Sequence, residues 1–183
     1  MRITGGEAKG NRLKGPEASS VRPTTDLARK AIFSILENTH SCAWKQMLDL
    51  YAGSGALGIE ALSRGAEWVD FVDQKPQCCR LIKHNLEKTG FQESSYVYCC
   101  NVKKIFTSLS KSYDIVFLDP PYIDKFLPEL LALLANSNLI VTNSVVVACH
   151  AARFSLYPAY NELSRIKERT YGDTAISIYQ KED

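Results

Sequence analysis

The sequence lacks any uninterrupted run of about 18 apolar residues, the length that a membrane-spanning helix requires. Its opening residues 1–6 also lack the apolar core of a signal peptide. Both absences argue against a membrane protein and against a secreted precursor. We therefore expect a soluble protein that works in the cytoplasm.

Metal-binding spacing is missing as well. None of the six cysteines is spaced as Cys-x-x-Cys, and two adjacent pairs do not supply a tetrahedral set of ligands. The three histidines are scattered, with no second ligand close in sequence. We expect no metal, and reduced thiols that mostly pack as small hydrophobic side chains. The cysteines are Cys42, Cys78, Cys79, Cys99, Cys100 and Cys149.

Internal repeats and low-complexity segments are absent too, and 183 residues with a hydrophobic fraction of 45% suit one compact unit. The net charge of +2 is unevenly distributed. Residues 1–30 carry seven Lys/Arg against three Asp/Glu, or +4, which leaves −2 for the rest of the chain. A basic end is typical of contact with a polyanion, although a solvated, flexible terminus would carry the same charge.

Alternating strand and helix patterns predict an α/β fold, with a mostly parallel sheet covered by helices on both faces and a terminal antiparallel pair. Before the sheet we predict a small hairpin from 2–4 and 11–13 and a helix from Asp26 to Glu37, capped by a threonine. The predicted strands are 47–51, 68–72, 96–100, 114–118, 139–148, 164–169 and 174–179, and the further helices are 56–63, 75–88, 102–109 and 126–134.

A glycine-rich loop, Gly53-x-Gly55-x-x-Gly58, follows the first strand of the predicted sheet and opens a helix. Its spacing fits either a dinucleotide or S-adenosylmethionine (SAM). About 135 residues remain beyond the N-terminal segment, which suits the single mononucleotide half that SAM needs better than the two halves of a dinucleotide fold. Asp49, before the glycines, can accept from the ammonium group of SAM, which NAD lacks. SAM is therefore the predicted cofactor.

Polar residues at later strand ends complete the predicted cofactor site. Asp73, after the second strand, is placed to accept from both ribose hydroxyls, and Asn101, after the third, to bind the adenine edge. Tyr51 is a further candidate from the glycine loop itself. Simpler explanations exist, because a glycine turn needs no ligand, Asp73 could cap the next helix and asparagine is common in turns.

The fourth strand of the predicted sheet runs into Asp119-Pro120-Pro121-Tyr122. If the first and fourth strands are neighbours, this loop lies beside the cofactor loop, because parallel sheets bind ligands at their carboxyl ends. The Asp119 carboxylate and the Pro120 carbonyl could each accept an N–H of an exocyclic amine and aim its lone pair at a methyl group. Tyr122 offers a flat face for a base. The loop predicts an amino methyltransferase, although Asp-Pro-Pro is also ordinary turn chemistry.

Motifs spread over nearly the whole chain carry a family resemblance. They are Arg2-Ile3-x-Gly5-Gly6, Lys9-Gly10-x-Arg12-Leu13, Arg22-Pro23-Thr24-Thr25, the stretch from Asp49 to Ala66, Asp119 to Tyr122, and Tyr171-Gly172-Asp173-Thr174. Together they resemble the class I methyltransferases that modify amino groups, and more closely the RsmD family, which methylates guanine N2 in small-subunit (16S) ribosomal RNA. The Arg22 segment and the glycine stretch are more specific than Asp119 to Tyr122, which adenine-N6 DNA methyltransferases share.

The resemblance implies residue roles that agree with those expected from the glycine loop and from the loop at Asp119. It implies catalysis at Asp119 and Tyr122, to which the chemistry adds the Pro120 carbonyl. The implied SAM contacts are Asp49, Gly53, Gly55, Asp73 and Asn101, and the candidate RNA contacts are Arg22, Pro23, Thr24, Thr25 and Arg29. On this basis residues 1–40 form a basic extension that contacts RNA and packs on a methyltransferase domain of residues 41–183. We expect a monomer that acts on small-subunit RNA or its ribonucleoprotein.

The chain departs from the family pattern at three strand ends. Many relatives have Glu at the position of Asp73 and Asp at the position of Asn101, and all three residue types can form the required hydrogen bonds. An acidic residue that is usual at the end of the fifth strand is replaced here by Ala148-Cys149-His150. This departure puts a substrate role of that strand end in doubt, and not cofactor binding.

Three alternatives stay open at this point. An adenine-N6 methyltransferase would use the same loop, but one that reads DNA normally needs a separate recognition domain, for which the chain has no room. A nicotinamide oxidoreductase would bind NADH and give Tyr122 no role. A non-catalytic ribosome-assembly factor would keep its function without Asp119.

Overall fold

Eight strands form one mixed sheet in the order β3-β2-β1-β4-β5-β8-β7-β6. The structure is a computed structural model that describes residues 1–15, 26–39, 44–121 and 126–183. The strands are β1 (Gln46–Leu50), β2 (Trp68–Asp73), β3 (Ser95–Cys99), β4 (Tyr113–Leu118), β5 (Ile140–Ala151), β6 (Ala159–Tyr160), β7 (Leu163–Tyr171) and β8 (Thr174–Lys181). The helices are α1 (Asp26–Glu37), α2 (Ala56–Ser63), α3 (Pro76–Thr89), α4 (Val102–Ser108) and α5 (Leu127–Ala135), with a 3-10 turn at Gln92–Ser94.

The first five strands run parallel, and β8, β7 and β6 complete the sheet in antiparallel pairs. This arrangement confirms the predicted α/β fold with a terminal antiparallel pair. It also confirms that β1 and β4 are neighbours, the condition on which the predicted site depends. The short strand β6 was not predicted. The hairpin is present as an antiparallel bridge between Arg2 and Arg12.

Two hydrophobic clusters cover the two faces of the sheet, because alternate residues of each strand point to opposite sides. On β1, for example, Met47 belongs to one cluster and Leu48 to the other. The first cluster holds the apolar faces of α1, α2 and α3, and the second those of α4 and α5. None of these described helices is both long enough and apolar enough to cross a membrane.

The N-terminal hairpin and α1 pack into the first cluster rather than standing apart. Ile3 and Leu13 of the hairpin and Phe33 of α1 share it with residues of the sheet. The division of the chain at residue 40 remains a prediction, since this continuous core neither requires nor forbids it.

A buried carboxylate ties the hairpin and α1 to α2. Glu60 of α2 is fully buried, and its two oxygens accept from the backbone N–H and the hydroxyl of Thr4 at 2.8 and 2.7 Å. Arg29 of α1 and Arg64 at the end of α2 donate to the same carboxylate at 3.2 and 2.9 Å. A buried charge is tolerated only when it is paired and hydrogen-bonded, so these elements fix one another's positions.

Gly58 allows α2 to pack closely against β2, which fixes the position of the glycine loop that precedes α2. A Cβ at this position would lie 2.3 Å from Cε1 and 2.6 Å from Cζ of Phe71, and 2.8 Å from Cγ1 of Val69. Only a residue without a side chain fits here, as expected for the third glycine of such a loop.

We predict that Gly58→Ala lowers the free energy of unfolding by about 1–3 kcal/mol, the usual cost of overpacking a core. Urea unfolding of the purified variant measures the change. Gly15→Ala is the control, since a Cβ there meets only the tip of Met1 at 3.9 Å. Equal stability of the two variants would contradict close packing at Gly58.

Candidate active site

Three acidic residues gather at the carboxyl ends of the central strands. Asp49 lies within β1, Asp73 ends β2 and Asp119 directly follows β4. Leu50 pairs with Val72 on one side and with Leu118 on the other, so Asp73 and Asp119 flank the start of the glycine loop. All three side chains belong to the same face of the sheet, because each is two residues beyond a member of the first cluster. These members are Met47, Phe71 and Phe117.

Asp49 is the most deeply buried of the three, with 1% of its surface exposed. Its Oδ2 accepts from the backbone N–H of Gly58 at 2.9 Å, which joins β1 to the first turn of α2. Burial raises the pKa of Asp49 to about 8, the Gly58 hydrogen bond opposes the shift, and the charges of Asp119 and Asp73 add to it. A cation beside Asp49 would favour its charged form, so the site suits an ammonium group.

Asp73 holds the glycine loop in place. Its Oδ2 accepts from the N–H of Gly53 at 2.9 Å, and its Oδ1 accepts from the N–H of Lys75 at 2.8 Å, just before α3. Asp73 therefore stabilises the turn before α3, but it does not cap that helix, whose N-terminus has no side-chain cap hydrogen bond. A carboxylate has about four acceptor positions, so two backbone bonds leave capacity for ribose hydroxyls.

The glycine loop leaves open space above β1. Tyr51 adopts a φ of 60°, which is uncommon for a residue with a side chain, and Gly53 has a φ of 58°. A Cβ on Gly53 would meet nothing nearer than the Tyr51 carbonyl oxygen at 3.8 Å. Gly55 ends the loop as the cap residue of α2, with a φ of 78°. The loop can therefore let a ligand approach its backbone closely.

Asn101 lies at the exposed end of β3 and caps α4. Its Oδ1 accepts from the N–H of Lys103 at 2.9 Å, and its Nδ2 donates to Oε1 of Gln74 at 3.1 Å. The structure thus gives Asn101 the turn function that was the simpler alternative. Its contact with an adenine edge stays a prediction.

The predicted catalytic loop begins at the half-buried Asp119. The N–H of Asp119 donates to the Leu50 carbonyl in a long hydrogen bond of 3.5 Å, which holds the loop against β1. Pro120 is buried and Pro121 is exposed. Tyr122 lies outside the described residues, so its predicted stacking role stays a prediction.

A cavity of about 190 Å³ opens beside this loop, on the side of β5. Pro120 and Pro121 form one wall. The other residues that line it are Leu127, Pro128, Cys149, His150, Ala151, Phe154, Ser155 and Leu156. A larger open depression of about 350 Å³ lies around the end of α2. None of the three carboxyl groups lines it.

Sequence reasoning did not identify Phe154 or the other cavity residues after β5. The signal was an aromatic residue that follows the carboxyl end of a parallel strand, where ligands of such sheets bind. Phe154 is 43% exposed, so its ring is accessible at the cavity. No group of three metal-binding side chains occurs in the described parts of the chain.

The structure corrects the position assumed for Arg29. This candidate RNA contact is completely buried, and its guanidinium donates to Glu60 at 3.2 Å, to Asp26 at 2.9 Å and to the carbonyl of Arg2. An arginine in that environment supports the fold and does not face an RNA strand. The other four candidates, Arg22, Pro23, Thr24 and Thr25, lie outside the described residues.

One basic residue of the hairpin lies near the glycine loop. Lys14 is exposed, and its N–H donates to Asn85, which in turn donates to the carbonyl of Ser54 in the glycine loop. Arg2 and Arg12, paired in the hairpin, are exposed as well. Lys14 therefore lies near the glycine loop, and Arg2 and Arg12 add exposed positive charge to the same hairpin.

The sheet order, the glycine loop at the end of β1 and the acidic end of β2 define a class I SAM-dependent methyltransferase. A solved structure of YhhF from Escherichia coli, proposed to be a methyltransferase, covers 100% of this chain and 98% of its own, with a TM-score of 0.84 and 29% identity. A family model described as "Conserved hypothetical protein 95" matches residues 1–180.

Curated relatives identify the family. YlbH of Bacillus subtilis, whose description proposes an rRNA methyltransferase, is 34% identical over 99% of both chains. Ribosomal RNA small subunit methyltransferase D of Escherichia coli K12 is 30% identical over 100% of this chain and 90% of its own. The chain belongs to the family of Ribosomal RNA small subunit methyltransferase D, as the sequence motifs indicated.

We predict that Asp49→Asn stabilises the protein without cofactor, by an amount that grows as the pH rises from about 5 to 8. The folded protein retains a proton on Asp49 with a pKa of about 8, whereas the unfolded chain releases it near 3.8. Wild-type stability therefore falls with rising pH in this window, by at most about 1.4 kcal/mol per pH unit. Asparagine has no such proton to lose and keeps an acceptor for Gly58.

Urea unfolding of both proteins at four pH values measures this effect. Asp114→Asn is the control. This carboxylate lies at the start of β4, far from the glycine loop in sequence, and accepts from the N–H groups of Lys45 and Gln46. A stability difference between Asp49→Asn and wild type that does not change with pH would contradict a protonated, buried Asp49.

Proposed function

We propose that this protein transfers a methyl group from SAM to the exocyclic N2 of a guanine in small-subunit ribosomal RNA, in the cytoplasm. The observation that carries the proposal is the position of Asp119, which follows β4 beside the glycine loop and directly precedes Pro120, a residue that lines the 190 Å³ cavity. A donor of methyl groups and an acceptor base would therefore meet at one carboxylate.

The cofactor fits the residues that surround the glycine loop. Asp49 is a buried acid that suits the ammonium group, Asp73 has acceptor capacity for the ribose hydroxyls, and Gly53 leaves space at the backbone. Asn101 would bind the adenine edge with the hydrogen-bonding positions that its cap does not use. When bound, SAM supplies a methyl group on a positively charged sulfur.

Asp119 and Pro120 prepare the amine of the base. An exocyclic amine is a poor nucleophile, because its lone pair is delocalised into the ring. If the Asp119 carboxylate and the Pro120 carbonyl each accept one N–H, the nitrogen becomes tetrahedral and directs its lone pair at the methyl group. The product ammonium is acidic and releases its proton to Asp119 or to water. Pro120 and Pro121 hold both acceptors in a stiff turn.

The family and the charge distribution support guanine N2 of ribosomal RNA as the target. The relative from Escherichia coli K12 is named for the small ribosomal subunit, and the match covers 100% of this chain and 90% of that protein. Exposed basic residues of the hairpin suit the phosphates of a folded RNA, which proteins recognise by shape and charge. The two acceptors would hold adenine N6 equally well, so the product decides between the bases.

We predict that the wild-type protein transfers labelled methyl groups from SAM to small-subunit RNA or to partly assembled subunits. Asp119→Ala should lower the rate by at least about 100-fold, since it removes an acceptor that acts on the reacting nitrogen. Its SAM affinity, measured by calorimetry, should stay within about twofold, because Asp49 and Asp73 remain.

Asp114→Asn, at the start of β4, is the control, and it should transfer methyl groups at the wild-type rate. Failure of the wild type on naked RNA, assembled subunits and DNA alike would overturn the proposed function. Full activity of Asp119→Ala would overturn the assigned catalytic residue.

A further inference from the structure

The cavity beside Asp119 is bounded by a short segment without regular structure. This pocket-wall segment, residues 151–156, starts at Ala151, the last residue of β5, and contributes four lining residues, including Phe154, which lines the cavity together with Pro120 and Pro121. Irregular segments are usually the most mobile parts of a fold. A wall that must stack on a base therefore needs fixing from outside its own backbone.

A buried histidine holds the first residue of the pocket-wall segment. His150 is 5% exposed, and its Nδ1 lies 3.1 Å from the carbonyl oxygen of Ala151. Its Nε2 lies 2.9 Å from Oγ of Ser177 on β8, the strand that pairs with β5. Burial lowers the pKa of His150 from its ordinary value.

The same set of side chains holds the last residue of the segment. Oγ of Ser177 donates to Oε2 of Glu168 on β7 at 2.9 Å. Arg165, also on β7, donates to that same oxygen at 2.6 Å and to the carbonyl oxygen of Leu156 at 3.3 Å. Neutral His150 has one N–H, which Nδ1 donates to the Ala151 carbonyl, so Nε2 can only accept and faces the same Ser177 hydroxyl as Glu168. His150, Ser177, Glu168 and Arg165 thus form one set of polar contacts, the clamp network, which reaches both ends of the pocket-wall segment.

The clamp network occupies the strand end where the family's usual acidic residue is missing. It joins β5, β8 and β7 through the buried His150 and Ser177, the half-buried Arg165 and the exposed Glu168. Cofactor contacts lie on the other side of Asp119, at β1 and β2. Loosening the clamp network would therefore disturb the base side of the active site and leave the cofactor side intact.

We propose that the clamp network positions the pocket-wall segment so that Phe154 stacks on the target base, which makes His150, Glu168 and Arg165 positioning residues for RNA. This inference rests on the proposed function, because it assigns the 190 Å³ cavity to the base that is methylated. Stacking on an aromatic ring contributes to the binding of an unpaired base, so a displaced Phe154 weakens RNA binding measurably.

Arg165→Met tests the proposal, because it removes both hydrogen bonds of Arg165 and keeps a chain of similar length. We expect KM for RNA to rise about three- to tenfold, as loss of one or two hydrogen bonds implies, with kcat and SAM affinity within about twofold of wild type. Arg165→Lys should restore part of the loss. Arg169→Met, on the same strand, is the control for the removed positive charge.

A double-mutant cycle tests whether Arg165 acts through Phe154. Phe154→Ala alone should raise KM for RNA, and adding Arg165→Met to it should raise KM by less than the product of the two single effects. Independent, multiplicative effects would overturn the proposal. So would equal KM values for Arg165→Met and Arg169→Met.

Further readouts separate this proposal from its alternatives. All assays run well below the melting temperature of each variant, and Glu168→Gln replaces Arg165→Met if the latter does not fold. A merely structural role predicts a lower melting temperature with unchanged KM, which would overturn the proposal. Absence of methyl transfer by the wild type would instead overturn the proposed function itself.

Discussion

The hydrogen bond between the buried Asp49 carboxyl and the Gly58 N–H is the interaction on which the cofactor end of the molecule depends. It joins the middle of β1 to the first turn of α2, and α2 can approach the sheet this closely only because Gly58 has no side chain. The loop between them is held from the other side by Asp73, which accepts from Gly53. Two carboxyl groups therefore shape the loop before any ligand binds, at the cost of burying both of them.

The strand order then determines where chemistry takes place. From β1 the sheet grows through β2 and β3 on one side and through β4 and β5 on the other, so the strand order reverses between β1 and β4. Open parallel sheets bind ligands at such a point. Asp119 follows β4 there, with the glycine loop on one side and the cavity on the other. The antiparallel strands β8 and β7 extend the sheet, and their side chains also support the wall of that cavity formed by the pocket-wall segment.

Much of the fold could be predicted from the sequence, because local patterns determine it. The bounds of α1 and α2 agree with prediction, since apolar residues at three- and four-residue spacing mark them. The gathering of Asp49, Asp73 and Asp119 also followed from strand ends and one assumed neighbour pair. These features need only short-range periodicity and the general rule for parallel sheets.

Contacts between distant residues could not be predicted in this way. Arg29 looked like part of a basic RNA-binding arm, but its partner Glu60 is 31 positions away and lies in another helix. The clamp network likewise joins three strands whose order no local pattern reveals. Serine and glutamate are common on protein surfaces, so Ser177 and Glu168 do not stand out in the sequence. The pairing of β5, β8 and β7 brings them beside the active site.

The central claim is that one carboxylate presents a guanine amine to SAM, and the chemical identity of the product tests it most directly. Small-subunit RNA methylated by the wild-type protein with labelled SAM is digested to nucleosides, which are separated and identified by mass spectrometry. The account predicts that the label is in N2-methylguanosine. Label in N6-methyladenosine, or in a ribose or ring-carbon methyl group, would contradict it.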